Sequence, residues 1–237
     1  MSDHDPSFAP KLLSLLRRPD NDRPVLVDGG ACRGDFTQLL LDAFPAATVH
    51  AFEPNEPLAA QLSARFRPRA NVHVWNRALH ATSGAAQLEV HADPGTSSLL
   101  PRARDARRYF HSSDAVLRRA AVQTIDLDSF VREHAPAGVA LLKLDTQGSE
   151  LDILHGARDA FTRHAIDVLY TEFFVVPHYA GAPLFGDLLA FLESFGYTLF
   201  DLFKGPIARN GQLRFGDAIF VSPSFRAAHL DAFAAEP

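Results

Sequence analysis

A chain of 237 residues, 47% of them hydrophobic, can bury one sizeable core as a single domain or a domain with an added subregion. Its formal net charge of −5 argues against a general nucleic-acid binder, and no apolar run nears the ~20 residues a membrane-spanning helix needs. The lone Cys32 excludes an internal disulfide framework and a cysteine-rich zinc site, while Asp3, Asp5 and Asp20 do not read as a secretory signal, so a cytoplasmic location is expected.

Leu12, Leu13, Leu15 and Leu16 suggest a short amphipathic helix ended by Pro19, so residues 1–22 are expected to form a helical extension before a domain covering 23–237. Residues 25–36 read as a buried strand, a tight glycine turn and the start of a helix. Within them Asp28, Gly30 and Gly34 stand as D-x-G-x-x-x-G, and the glycines let the backbone bend and a ligand come close. Ala31 takes the place of the second glycine in the G-x-G-x-x-G of dinucleotide enzymes. Asp28 would repel a pyrophosphate and suits a ligand with a positive end, such as the amino group of S-adenosylmethionine. Phe36, Leu39, Leu40 and Ala43 then mark one helix face. Residues 48–53 form a second strand ending in Glu53, whose carboxylate can accept both ribose hydroxyls of an adenosyl group. A helix near 55–66 and a third strand at 71–75 complete the strand-helix alternation of a parallel sheet with helices on both faces.

The middle breaks that rhythm. Residues 87–91 and 121–125 alternate as strands of an insertion at about 80–125, expected as a small hairpin and lid. Between them lies a polar stretch containing Arg102, Arg104, Arg107, Arg108, Arg118 and Arg119, either a solvated segment or a lid that recruits an anionic substrate. The pattern resumes with a strand at 139–144 and one helix carrying Glu150, Leu151, Leu154 and Phe161. Another strand covers 166–172, and a helical stripe from Phe185 to Phe195 is closed by Gly196. Strands at 197–203 and 213–221 finish the chain, with Asn210-Gly211 as a turn signal between them.

Residues 141–157, LLKLDTQGSELDILHGA, closely resemble the K-(I/L)-D-x-(E/Q)-G-x-E-x-x-(V/I)-L-x-G-A signature of FkbM-type methyltransferases. Asp28-Gly29-Gly30-Ala31 with Gly34, Phe52-Glu53-Pro54, Asn76-Arg77-Ala78-Leu79, Thr171-Glu172 and Phe195-Gly196-Tyr197 match in family order, covering roughly 23–203. Cys32 stands where the family usually has Asn, and Gln147 where it usually has Glu. The resemblance implies an α/β fold: a doubly wound, Rossmann-like sheet of seven strands, the last antiparallel. It also implies a class I S-adenosylmethionine-dependent methyltransferase, typically acting on oxygen.

The expected acceptor is a hydroxyl of a small molecule or glycan, anionic if the arginine-rich stretch recruits it, with no nucleic-acid or membrane partner. Ligands of open parallel sheets bind beyond the carboxyl ends of the strands, which gathers Asp28, Glu53, Asn76, Asp145 and Glu172 on one rim. Expected cofactor contacts are Asp28, Gly29, Gly30, Ala31, Gly34, Glu53, Pro54, Asn76, Arg77, Ala78, Asp145 and Gln147, with residues 76–79 at the adenine. Asp145, Glu172 and His178 are expected to face the acceptor, His178 as base and Glu172 as its orienter. These three could instead hold a divalent metal, although no spacing demands one. Lys143 is read as pairing with Glu172 or another acid, and Glu150 as stabilising its helix. Competing readings are a non-catalytic S-adenosylmethionine-binding module and, less favoured, an NAD-dependent oxidoreductase.

Overall fold

The computed structural model describes residues 7–18, 21–104, 106 and 115–231; Asp3, Asp5, Pro19, Asp20, Arg107 and Arg108 therefore lie outside the described residues. After helix α1 (Phe8–Leu16) the chain alternates strand and helix: β1 (Val25–Gly29), α2 (Asp35–Ala43), β2 (Thr48–Phe52), α3 (Glu56–Phe66) and β3 (Val72–Trp75). The insertion supplies β4 (Ala78–Leu79), β5 (Gly84–His91) and β6 (Val116–Ile125). Then come α4 (Leu127–His134), β7 (Val139–Leu144), α5 (Glu150–His155), α6 (Arg158–Thr162), β8 (Ile166–Phe174), α7 (Phe185–Glu193), β9 (Thr198–Lys204), β10 (Phe215–Val221) and α8 (Pro223–His229).

The main sheet has seven strands in the order β3-β2-β1-β7-β8-β10-β9, and β10 runs antiparallel to both its neighbours. Strand order reverses between β1 and β7, and that crevice is where such sheets bind ligands. Successive side chains of a strand face opposite ways, so Leu26 and Leu141 join one apolar layer while Val27 and Leu142 join the other. The first layer is closed by α1, α2, α3 and α8 through residues such as Leu12, Leu40, Leu62 and Phe225. The second is closed by α4 to α7 through Phe130, Leu154, Phe161 and Leu188. The inserted sheet, in the order β4-β6-β5, has its own small core of Ala78, Leu88, Val90 and Val122. Among the described residues no helix is long and apolar enough to cross a membrane.

Four details differ from the sequence reading. The single helix expected over Glu150–Phe161 is two, because the chain turns at Gly156, where a Cβ would stand 2.4 Å from the His80 carbonyl oxygen. Strand β6 begins at Val116 rather than 121, as its arginine-bearing half pairs with β5. Helix α4 was not anticipated; Asp126 caps it by accepting the N–H of Ser129 at 2.8 Å. Nor was α8, although Ser222-Pro223 is a helix-start signal: Ser222 Oγ accepts the Phe225 N–H at 3.1 Å.

Candidate active site

The bend after β1 is held by two backbones in contact. Gly30 adopts φ +76°, and a Cβ there would lie 2.0 Å from the Asp145 carbonyl oxygen, so only glycine lets the β1 and β7 loops meet. Asp28 and Lys143 are register partners on β1 and β7. The Lys143 ammonium lies 3.0 Å from Asp28 Oδ1 and donates to the carbonyl oxygens of Gly29 and Gly30, while Thr37 donates to Asp28 Oδ2 at 2.6 Å. Asp28 is fully buried, its carboxylate braces the bend, and Lys143 pairs with it rather than with Glu172. Burial would lower the Lys143 pKa, but Asp28 and Asp145 outweigh it and hold it above its ordinary value. Gly34, with φ +82°, likewise serves packing: a Cβ would strike Leu62 and Phe66 at 2.5 and 2.7 Å.

Beyond β2, Glu53 accepts the backbone N–H groups of Cys32 and Asn55, each at 2.8 Å and each on a different oxygen. A carboxylate has about four acceptor sites, so these bonds orient it without saturating it. Burial pushes its pKa up to about 7, against the opposing pull of the two N–H groups. Cys32 sits at φ +49°, a left-handed position that asparagine tolerates well, in keeping with the residue usual there in the resembled family. Burial, then the charges of Glu53 and Asp145, raise its thiol to about 11, which removes it as a nucleophile. Asn76 turns its amide back onto the carbonyl oxygens of Glu53 and Pro54. A crevice opens beside this rim, lined by Gly30, Phe52, Pro54, Arg77 and Thr146 of the main-sheet side and by Ala78 and Leu79 of β4. Leu88, Ser98 and Leu99 of the insertion face it, and Ser149 closes it.

The next loop concentrates the acids. Gln147, at φ +58°, donates from its amide nitrogen to Asp145 Oδ1 and Glu172 Oε2, both at 2.9 Å. Its amide oxygen accepts from the Tyr179 hydroxyl at 2.8 Å, and its backbone carbonyl accepts from Ser98 Oγ at 2.7 Å. Tyr179 also reaches the Thr96 carbonyl at 2.9 Å, so the insertion is fastened directly to this loop. Glu150 accepts the N–H groups of Thr146 and Gly148 and the Thr146 hydroxyl, closing the loop from its own helix. Burial raises Glu150 to about 6. Glu172 is held well above the usual carboxylate range by burial and by the charges of Asp145, Glu150 and Asp217, against the pull of Lys143. Asp145 is the more open of the bridged pair, its side chain 28% exposed.

His178 stands elsewhere. It is buried, its Nδ1 meets the Val176 carbonyl at 2.9 Å and Arg214 approaches its Nε2 at 3.3 Å. Burial lowers its pKa to about 4, and the place beside Glu172 is taken by Gln147. Among the arginines, Arg102 donates to His91 Nδ1 and to the Thr96 hydroxyl, Arg118 to Asn55 and Arg119 to Glu89. Among the described residues no group of three or more His, Cys, Asp or Glu is arranged to hold a metal ion.

Residues 28–199 match the family described as "Methyltransferase FkbM domain". The chain belongs to the FkbM methyltransferase family. The methyltransferase is 25% identical over 192 residues to "2-O-methyltransferase NoeI" of Sinorhizobium fredii (strain NBRC 101917 / NGR234), covering 78% of this chain and 76% of that one. It is 27% identical over 171 residues to "Methyltransferase sdnD" of Sordaria araneosa, covering 63% and 65% respectively. Its fold resembles the crystal structure of methyltransferase FkbM from Methylobacillus flagellatus KT, with a TM-score of 0.54 at 16% identity. That alignment covers 84% of this chain and 44% of the other.

S-adenosylmethionine is the methyl donor of this methyltransferase, and the rim tests well against it. An apolar crevice ends beside an oriented, unsaturated carboxylate, and one buried hydroxyl, Ser149 Oγ, has no hydrogen-bond partner. Asp28 is the most deeply buried of the expected acids, its carboxylate held by Lys143 and Thr37. Sequence reasoning missed the bridging part of Gln147, although its departure from the family's usual Glu was the visible signal. It also missed Ser149 and Tyr179, which stand out only once the insertion is folded against the loop.

Proposed function

We propose that this methyltransferase methylates a hydroxyl of a small molecule or glycan, with the carboxyl pair Asp145–Glu172 as the proton acceptor. S-adenosylmethionine supplies a methyl group on a sulfonium; its transfer breaks one C–S bond, forms one C–O bond and leaves the hydroxyl proton to be removed. The Gly30 bend and the crevice hold the nucleoside end, and Glu53 accepts the ribose hydroxyls with its remaining lone pairs. Arg77 and Ala78 line the base, with Pro54 beside them. Asp145, the open member of the pair, receives the acceptor hydroxyl, and Glu172 behind it raises the pair's hold on a proton. His178, with its pKa lowered to about 4 and Arg214 at Nε2, serves structure.

One observation carries this reading: two carboxyl groups, one buried and of raised proton affinity, are fixed by a single amide beside the crevice. A general base must hold the proton it removes, and burial with the charges of neighbouring acids raises the proton affinity of Glu172. The relative named a 2-O-methyltransferase supports oxygen as the nucleophile. The test has two steps. Calorimetric titration with S-adenosylhomocysteine reports cofactor binding, and labelled methyl transfer to a panel of glycosides and small alcohols reports the acceptor class. Asp145→Asn and Glu172→Gln should each cut transfer by about 100-fold or more while cofactor affinity holds. Unchanged transfer in both variants would remove the pair from the reaction.

A further inference from the structure

Neighbouring strands of a sheet set their side chains in rows, and one row here is made of acids. In the antiparallel β8–β10 pair, Asp217 is the direct register partner of Glu172, so the two side chains share a face. The parallel β7–β8 register runs up to Leu144 and Thr171, which sets Asp145 beside Glu172 on its other flank. Asp145, Glu172 and Asp217 therefore succeed one another across three strands. Like charges directly opposite one another destabilise a sheet, so strand assembly does not explain the row.

Asp217 is 2% exposed, and its register partner on β9 is the buried Phe203. Its anchor is Tyr170, two places before Glu172 and hence on the same face. The Tyr170 hydroxyl donates a hydrogen bond to Asp217; burial, then the charge of Asp217 and that bond, hold the phenol proton well above its ordinary range. The Tyr170 ring is itself fixed by stacking on Phe8 of α1 and Phe36 of α2, with centroids 5.1 and 5.7 Å away. The groups that bear on Glu172 are Asp145 and Lys143 from β7 and its loop, Glu150 from α5, Asp217 from β10, Tyr170 from its own strand and Tyr179 from the loop after it. Lys143 favours the ionised form of Glu172, and the three acids oppose it.

We propose that Asp217 is a positioning residue of the methyl-transfer site: anchored by the Tyr170 hydroxyl, its carboxylate makes Glu172 the member of the Asp145–Glu172 pair that keeps the proton taken from the acceptor. The inference rests on the reading of that pair as the proton acceptor. As the C–S bond breaks and the C–O bond forms, the hydroxyl proton passes to the pair through Asp145 and comes to rest on Glu172. Asp217 acts on that step through Glu172.

The experiment is a pH titration of the full chain carrying isotope-labelled glutamate carboxyls, followed by NMR, with the Glu172 signal assigned by its loss in Glu172→Gln. Asp217→Asn keeps an acceptor for Tyr170 and removes the charge. It should lower the Glu172 midpoint by about one pH unit, a tenfold change in proton affinity, while Glu53 titrates as in wild type. The rising limb of methyl transfer against pH, read with a glycoside or alcohol that wild type methylates, should move down by a similar amount, with S-adenosylhomocysteine affinity unchanged. A merely structural Asp217 would alter melting and leave both midpoints in place. Circular dichroism melts verify folding, with Asp217→Ser as the replacement should the asparagine variant melt early. A Glu172 midpoint unmoved in the folded variant would overturn the proposal. Unchanged transfer in Asp145→Asn and Glu172→Gln would instead remove the proton-acceptor reading beneath it, whatever Asp217 does to the titration.

Discussion

The amide nitrogen of Gln147 stands 2.9 Å from Glu172 Oε2, so a neutral donor occupies the one place where a further charge would be most expensive. The same nitrogen also serves Asp145. Gln147→Glu puts a fourth carboxylate among Asp145, Glu172 and Glu150. That new acid has a folded pKa raised above its unfolded value, so its destabilisation is full at high pH and fades as pH falls through the folded pKa. The variant should lose about 2 kcal/mol at pH 8, or roughly 4–8 °C in Tm. The deficit should narrow by pH 5. Thermal melts at the two pH values measure it, and an equal deficit at both would refute the charge argument.

Lys143 and Asp28 form a buried ion pair between adjacent strands. Lys143→Met leaves the Asp28 carboxylate buried opposite a methyl group and should cost about 3–5 kcal/mol. Adding Asp28→Asn removes the stranded charge, so the double variant should lose clearly less than the sum of the two single losses. Urea denaturation of the four proteins gives the coupling. Simple additivity would mean that the pair contributes nothing to holding the bend.

The Glu53 carboxyl, raised to about 7, is expected to bind ribose hydroxyls only when ionised. Lowering the pH from 7.5 to 6 reduces its ionised fraction, and S-adenosylhomocysteine affinity should fall about eightfold. Glu53→Gln should bind weakly at both values with no such slope. Calorimetry across this window decides; a wild-type affinity that is flat with pH would detach Glu53 from the ligand.

His50 on β2 is pushed down to about 4 by burial first, then by the neighbouring His73 and His134, and its Nδ1 accepts from the Trp75 indole at 3.2 Å. The unfolded chain takes up a proton at this residue near pH 6.5, whereas the folded chain does so only near 4. Stability from this group is therefore complete above 6.5 and drains away as pH falls towards 4. Buried acids with raised pKa values act the other way, so the readout is a difference. His50→Gln should show a shallower fall in Tm from pH 6.5 to 4.5 than wild type, whatever its absolute Tm. Parallel curves for the two proteins would contradict it.

The main sheet was legible because its strands are short apolar runs between glycine and acidic punctuation; Val25–Gly29 and Val139–Leu144 are bounded almost residue for residue by their composition. Contacts across strands were not. That Lys143 faces Asp28 follows from the β1–β7 register, which no local pattern states. The split at Gly156 depends on the His80 carbonyl, far away in sequence, and a helical stripe alone cannot reveal it. At the rim, the residue types were visible but their division of labour was not. Asp28 and Gly34 read as ligand contacts from their spacing, and that spacing does not state the packing both also serve, Asp28 against Lys143 and Gly34 against Leu62 and Phe66. His178 read as a base by its ordinary pKa, which burial had already displaced.

The Ser98 bond to Gln147, and Tyr179 bridging Gln147 and the Thr96 carbonyl, join the insertion to the acid-bearing loop after β7. Such an insertion is not a detachable module. A chimera that borrowed the corresponding segment from a relative would disturb the geometry of Asp145 and Glu172 unless it also brought a hydroxyl for the Gln147 carbonyl and a partner for Tyr179. Retargeting this scaffold to a new acceptor is thus a problem of co-design, in which recognition and proton handling must be altered together.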